Sequence, residues 1–206
     1  MQIAAQVVDI RGDQPRSSDQ FFVDTNVWYW VAYTQASQGI SFDPRYNQIS
    51  NYTNYLDEAL KVNATLYKTA LSFAELTHSI EKTQCDIFIN QQGLPPLTLK
   101  KYRYQYPMEQ QKVFAEVEVA WTLITAMSKT LDLKVDDALV EASLSRLNTQ
   151  PLDGYDLFML ELLTQNGISA VISDDRDFAL VPNITLFTAH DKVIQAAKSE
   201  GKLLVR

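Results

Sequence analysis

The 206-residue chain holds one cysteine and two histidines, and it has no run of about 18 apolar residues, the length that would span a bilayer. Each scarcity removes a class of explanation. Cys85 has no second cysteine to pair with, so a reducing, cytoplasmic compartment is the expectation. His78 and His190 are too few for a zinc site of nitrogen and sulfur ligands. No cationic start runs into an apolar stretch, so neither a leader nor a membrane partner is expected. Cations are the scarcer charge, 18 Lys and Arg against 25 Asp and Glu, which leaves a net charge of −7. That balance works against strong non-specific binding to nucleic acid, which depends on many cations displacing counterions. It does not exclude a nuclease, because acids gathered in one metal site would account for much of the excess.

What is present is an ordinary globular composition, 46% apolar and 21% charged, of a length suited to one domain. Residues 1–20 read as a polar lead-in. Phe21 to Val23 begin a short buried strand that ends at Asp24, and Val27, Trp28, Trp30 and Val31 follow at roughly helical spacing, so both tryptophans cannot face inward. Residues 35–47, with Gly39 and Pro44, read as a loop. Ile49, Tyr52, Leu56 and Leu60 place an amphipathic helix over 48–62, and Leu66 to Leu71 a second strand. Ser72 then caps a helix that carries Glu75 and Ile80 and ends before Gly93, Pro95 and Pro96. Lys100 to Tyr106 alternate basic residues with tyrosine and read as a strand-like loop. Pro107 opens a long helix with Val113, Val117, Trp121, Ile124 and Met127 inside.

A third strand is expected at 133–135, a helix at 136–147, and after Pro151 a helix from Gly154 to a stop at Gly167. Strands at 170–173 and 184–188 and a helix at 192–199 complete the chain. Strands alternating with helices imply an α/β fold in three layers, α/β/α, with a mostly parallel central sheet of about five strands.

Four acidic signals stand at the ends of these apolar runs. Asp24 ends the first strand, where open α/β sheets place their ligands, although Asp24 or Asn26 could equally cap the next helix. Glu75 completes Ser72-x-x-Glu75, a capping box, which competes with any functional role. Asp156 lies in the first turn of an apolar helix, with Asp153 free to serve as its cap. Asp174, Asp175 and Asp177 crowd the turn after a buried strand, which is awkward unless something positive neutralises them. Carboxylates in a partly dry site repel one another, and hard cations such as Mg2+ or Mn2+ take oxygen ligands, so the set points to phosphodiester chemistry. Lys100, Lys101, Arg103 and the tyrosines among them could grip a nucleic acid, but six adjacent residues of an extended segment cannot all face one groove.

Asp24-Thr25-Asn26 after a strand, Glu75 after the next, Asp156-x-Phe158-Met159-x-Glu161-Leu162 in a Gly-ended helix, and Val171-Ile172-Ser173-x-Asp175-x-Asp177-Phe178 follow one another in the order of the PIN-domain family. The chain resembles that family, VapC-type toxin-like ribonucleases included, best over 21–31, 66–81 and 152–188. The resemblance implies a single PIN-like domain over 21–206, with helical insertions near 35–60 and 90–130. It implies a metal-dependent endoribonuclease using Mg2+ or Mn2+, held by Asp24, Glu75, Asp156 and Asp175 with Asp177 as a further acid. Ser173 matches a small hydroxyl position and Asn26 a residue that orients the first acid. The fourth ligand position stays divided between Asp174 and Asp175. RNA as substrate, an antitoxin protein in the toxin members and a homodimer are the partners the resemblance implies. Two other readings stand beside it. One is a PIN-like RNA- or protein-binding module without activity. The other is a haloacid-dehalogenase-type phosphatase, which would need an acid where Asn26 stands.

Overall fold

The computed structural model describes residues 2–37, 46–150 and 152–206; Gly39 and Pro44 of the expected loop, and Pro151, lie outside them. Seven strands occur among these residues: β1 Gln6–Asp9, β2 Gln20–Val23, β3 Thr65–Thr69, β4 Lys129–Leu131, β5 Ala170–Ile172, β6 Thr185–Thr188 and β7 Leu203–Leu204. They form one sheet in the order β4-β3-β2-β5-β6-β1-β7, with every neighbouring pair parallel. The helices are α1 Thr25–Ala32, α2 Tyr46–Lys61, α3 Ala70–Gln92, α4 Leu99–Gln105, α5 Pro107–Met127, α6 Asp137–Leu147, α7 Gly154–Gln165 and α8 Asp191–Ser199.

The strands are short, two to five residues each, and the central ones are buried on both faces. Alternate residues point to opposite faces. Val8, Phe21, Val23, Leu66, Ile172 and Phe187 therefore join one core with Trp28, Tyr52, Leu56, Leu76, Ile80, Val117 and Ile124, from α1, α2, α3 and α5. Val7, Phe22, Val171 and Leu186 join a second core with Leu157, Leu160 and Leu163 of α7 and Val193 and Ala197 of α8. The chain is thus an α/β protein whose parallel sheet is packed on both faces.

Several expectations shift. The sheet has seven strands, not about five. The lead-in expected over 1–20 contains β1, which sits between β6 and β7; only Val7 and Val8 mark it, too brief a signal for a periodicity reading. The third expected strand moves from 133–135 to Lys129–Leu131, since Leu131 is buried whereas Val135 is 63% exposed. Thr69, not Ser72, caps α3: its hydroxyl accepts from the Ser72 amide, and Ser72 Oγ accepts from the Thr69 amide. That ends β3 at Thr69 and releases Glu75 from the capping role. Lys100–Tyr106 is a helix capped by Thr98, not a strand-like loop. Trp28 is fully buried and Trp30 packs partly buried against Tyr52, as a helix over that stretch requires. Gly167 closes α7 in the left-handed region at φ +66°, where a side chain would strain the backbone.

The strand order reverses direction at β2. From β2 the chain passes to β3 and β4 on one side, then crosses to β5 and β6 on the other. The carboxyl ends of β2, β3 and β5 therefore lie side by side at a topological switch point, where helices lead away to both faces and leave a crevice.

Candidate active site

Asp24 follows β2 and is 6% exposed, with a foot in α1: its Oδ1 accepts from the Thr25 amide at 2.6 Å. Its Oδ2 accepts from Ser173 Oγ at 2.5 Å, which ties the end of β2 to the end of β5. Ser173 Oγ in turn accepts from the Asp175 amide at 2.9 Å and lies 3.4 Å from Asn26 Nδ2. Thr25 Oγ1 donates to Glu75 Oε2 at 2.5 Å across from α1 to α3. On α7, Asp153 is the cap, accepting from the amides of Tyr155 and Asp156 at 2.9 and 3.0 Å, and this leaves Asp156 in the first turn with its carboxyl free of the helix.

Asp24, Glu75, Asp156 and Asp175 line one open cleft of about 700 Å³, together with Asn26, Thr25, Asp153 and Tyr155. His78 and Arg103 complete the rim from α3 and α4. The sequence motifs, separated by up to about 150 residues, thus meet at one place. Burial pushes the Asp24 carboxyl up to about 7, against the Ser173 hydrogen bond, with the charges of Glu75 and Asp175 adding to the rise. Asp156 is pushed up to about 8, chiefly by burial and then by Asp24, Asp153, Glu75 and Asp175. Burial also raises Glu75, more than its Thr25 bond lowers it. Asp177 stands outside the lining residues; burial and the charge of Asp175 raise it, and its amide donates to Asp175 Oδ1 at 2.9 Å.

The turn after β5 sends its first two acids to opposite sides. Asp174 is 7% exposed and turns away from the cleft, where Tyr52 Oη donates to its Oδ1 at 2.9 Å. The same hydroxyl accepts from the Ala189 amide and meets Thr188 Oγ1, both at 2.9 Å. Asp175 is exposed and faces the cleft. Successive residues point opposite ways, and α2 supplies the tyrosine that holds the inward one.

The donor set, all oxygen and crowded with unneutralised charge, fits a hard divalent cation in its chemistry. Among the described residues, though, no three His, Cys, Asp or Glu side chains stand close enough together to enclose an ion as they are oriented. Glu75 is turned to Thr25 and Asp24 to Ser173. Magnesium commonly keeps several waters and takes only one or two carboxylates directly, so a closed cage is not required for the set to hold it.

Sequence reasoning missed the part of Thr25, which tethers Glu75, and Glu81 on α3, which holds Arg103 at the cleft. Thr98 as a cap, followed by Lys100, Arg103 and Tyr104 at helical spacing, was the available signal for Arg103. His190 occupies the cap position of α8 without a side-chain cap bond, and Cys85 is buried. Among the described residues no helix is long and apolar enough to cross a membrane.

No family model matches the chain, and no curated protein matches it. Among solved structures the chain is similar to the crystal structure of PAE2754 from Pyrobaculum aerophilum, at 12% identity and a TM-score of 0.40, covering 92% of this chain and 96% of that one.

Proposed function

We propose that the protein is a PIN-type, metal-dependent nuclease that hydrolyses phosphodiester bonds of RNA in the cleft between β2, β3 and β5. The observation that carries this reading is the meeting of Asp24, Glu75, Asp156 and Asp175 in one cleft at the carboxyl edge of the sheet, with the carboxyls of Asp24, Glu75 and Asp156 raised by burial and the charge they share. Acids held at such cost are displaced from their ordinary protonation by a need that a divalent cation would meet.

In this reading Asp24 and Asp175 are the residues that hold Mg2+ or Mn2+, with Glu75 and Asp156 binding it directly or through water. Such an ion lowers the pKa of a bound water and stabilises charge on the phosphate. Ser173 fixes the Asp24 carboxylate and, through the Asp175 amide, the turn that bears the second acid. Thr25 fixes Glu75. Asn26, whose Oδ1 is buried without a partner, stands beside Ser173 where it can steady the same pair. Once a cation is bound, the acids ionise and the protons they held are released. Whether the protein acts as a toxin restrained by an antitoxin, or as a homodimer, is a finer form of the same proposal.

The test is cleavage of a mixed set of single-stranded and structured RNAs in Mn2+, Mg2+ or EDTA, for the wild type and Asp24→Asn. Cutting that requires the metal and vanishes in the variant supports the reading. A folded wild type that neither cuts RNA nor binds Mn2+ overturns it and favours a binding module.

A further inference from the structure

Six carboxylates line the cleft: those of Asp24, Glu75, Glu81, Asp153, Asp156 and Asp175. A polyanionic strand entering such a place needs oriented donors beyond any cation the acids hold. Among the described residues that line it, Arg103 is the one lysine or arginine.

Arg103 is not a free surface cation. Its Nε and Nη2 both donate to the carboxylate of Glu81, a residue 3% exposed on α3. Gln110 Nε2 reaches the same carboxylate at 3.4 Å from α5. The fork-on-fork pair spends one edge of the guanidinium and fixes its plane. Nη1 has no partner among the described residues, and the side chain remains 51% exposed. A guanidinium locked on one edge and bare on the other loses little conformational freedom when it meets a phosphate.

The rest of α4 is laid out to match. Lys100, Arg103 and Tyr104 stand at i, i+3 and i+4, one face of the helix, and all three are exposed, Tyr104 at 79%. The opposite side is spent on packing: Tyr102 is buried and stacks with Phe88 and Tyr106. An exposed aromatic next to two cations is the arrangement that binds unpaired nucleotides, with a base on the ring and phosphates on the cations.

We infer that Arg103, pinned by Glu81, is a positioning residue that anchors a phosphate of single-stranded RNA beside the acidic cleft, with Tyr104 stacking an adjacent base. The inference rests on the reading of the cleft as a site for a phosphodiester strand. Because the Arg103–Glu81 pair is neutral as a whole, its contribution is oriented hydrogen bonding.

Binding of a fluorescein-labelled oligouridylate, followed by anisotropy in EDTA so that no cutting occurs, tests this. Arg103→Gln should weaken binding about tenfold, roughly 1.4 kcal/mol, and flatten the slope of log affinity against log salt, because it removes the cation at the phosphate and leaves the Glu81 carboxylate without its partner. Arg103→Lys should not rescue it, since an ammonium lacks the fork. Glu81→Gln, which takes away one of the two acceptors that pin Arg103 and leaves its charge uncompensated, should steepen the salt slope. Tyr104→Ala, at an exposed position with no fold to lose, should weaken binding of single strands and leave duplex binding alone. Wild-type affinity in Arg103→Gln and Tyr104→Ala overturns the inference even where the protein cuts RNA. Arg103-dependent binding without metal-dependent cutting upholds it and removes the nuclease. No binding by the folded wild type overturns it outright.

Discussion

Replacing Asp24 by Asn separates a catalytic carboxylate from a structural one, because the two roles give opposite stability effects. The Asp24 carboxyl is raised from 3.8 to about 7 by burial and by the charges of Glu75 and Asp175. At about 1.4 kcal/mol per unit, keeping it ionised in the folded chain costs on the order of 4 kcal/mol. The sign follows from linkage. With the folded pKa above the unfolded one, the folded chain binds the extra proton, so stability is greatest at low pH and falls as pH rises from about 4 to about 7, then levels off.

Asn has no such dependence, but it has its own cost. It can still accept from the Thr25 amide, while its amide group must face Ser173 Oγ, which already accepts from the Asp175 amide. The lost charge-assisted bond removes about 1–3 kcal/mol at every pH. The net expectation in EDTA at pH 8 is a variant more stable than wild type by roughly 2 kcal/mol. At pH 5 that advantage shrinks by about 3 kcal/mol, because wild-type Asp24 is then protonated. This change in the difference between pH 5 and pH 8 is independent of what the new amide costs. Urea unfolding followed by tryptophan fluorescence measures it. A difference that stays flat with pH, or an Asn variant whose stability relative to wild type is lower at pH 8 than at pH 5, would refute the argument. With saturating Mn2+ the order should reverse, the wild type gaining stability and the variant gaining less.

Two further substitutions probe buried polar contacts that do not line the cleft. Tyr52→Phe removes the hydroxyl shared by Asp174, Thr188 and the Ala189 amide, taking one donor from a buried carboxylate and the acceptor from a buried amide; it should cost about 2–3 kcal/mol in urea unfolding, and a loss under about 0.5 kcal/mol would mean the network is not as drawn. Arg206→Ala removes the guanidinium that donates to Asp13 and Asp19 and lies against Phe187. Burial would raise Asp13, but the hydrogen bonds from Arg206 and Tyr55 hold it below its usual value, so the pair's contribution is present above that usual value and lost as pH falls through the lowered one. The variant should lose about 3 kcal/mol at neutral pH, with most of the difference from wild type gone in acid; an equal loss at both would assign the effect to packing alone.

The parts of the fold that were legible in the sequence are those with a long signal. α5 shows its inner face at Val113, Val117 and Ile124, and α7 runs unbroken from its Asp153 cap to Gly167. β2, β5 and β6 carry enough consecutive apolar residues to stand out. β1 and β7 do not: β1 buries only Val7 and Val8 between parallel neighbours, and β7 is two residues at the sheet edge, with Leu204 exposed. α4 was misread because alternating basic and aromatic residues look extended until the cap at Thr98 is weighed. Glu75 had two local partners to choose from, and only the shift of the cap to Thr69 sends it across to Thr25. Arg103 could be placed at the cleft only by knowing that Glu81, 22 residues earlier, holds it there.

Asp174 and Asp175 show where sequence reasoning stops for a physical reason. Their side chains are chemically identical and adjacent, and no local rule separates them. What separates them is the extended backbone leaving β5, which points neighbours to opposite sides, and a tyrosine 122 residues earlier that accepts only one of them as a buried partner. α2 falls within the segment expected near 35–60 as an insertion, and it is α2 that supplies Tyr52. This helix reaches the cleft without lining it: by donating to Asp174 at the back, Tyr52 helps to fix the turn that presents Asp175 at the front. If so, a change at Tyr52 should disturb cleavage through Asp175, while Asp174→Asn, which keeps an acceptor for the Tyr52 hydroxyl, should leave cleavage close to wild type and Asp175→Asn should remove it.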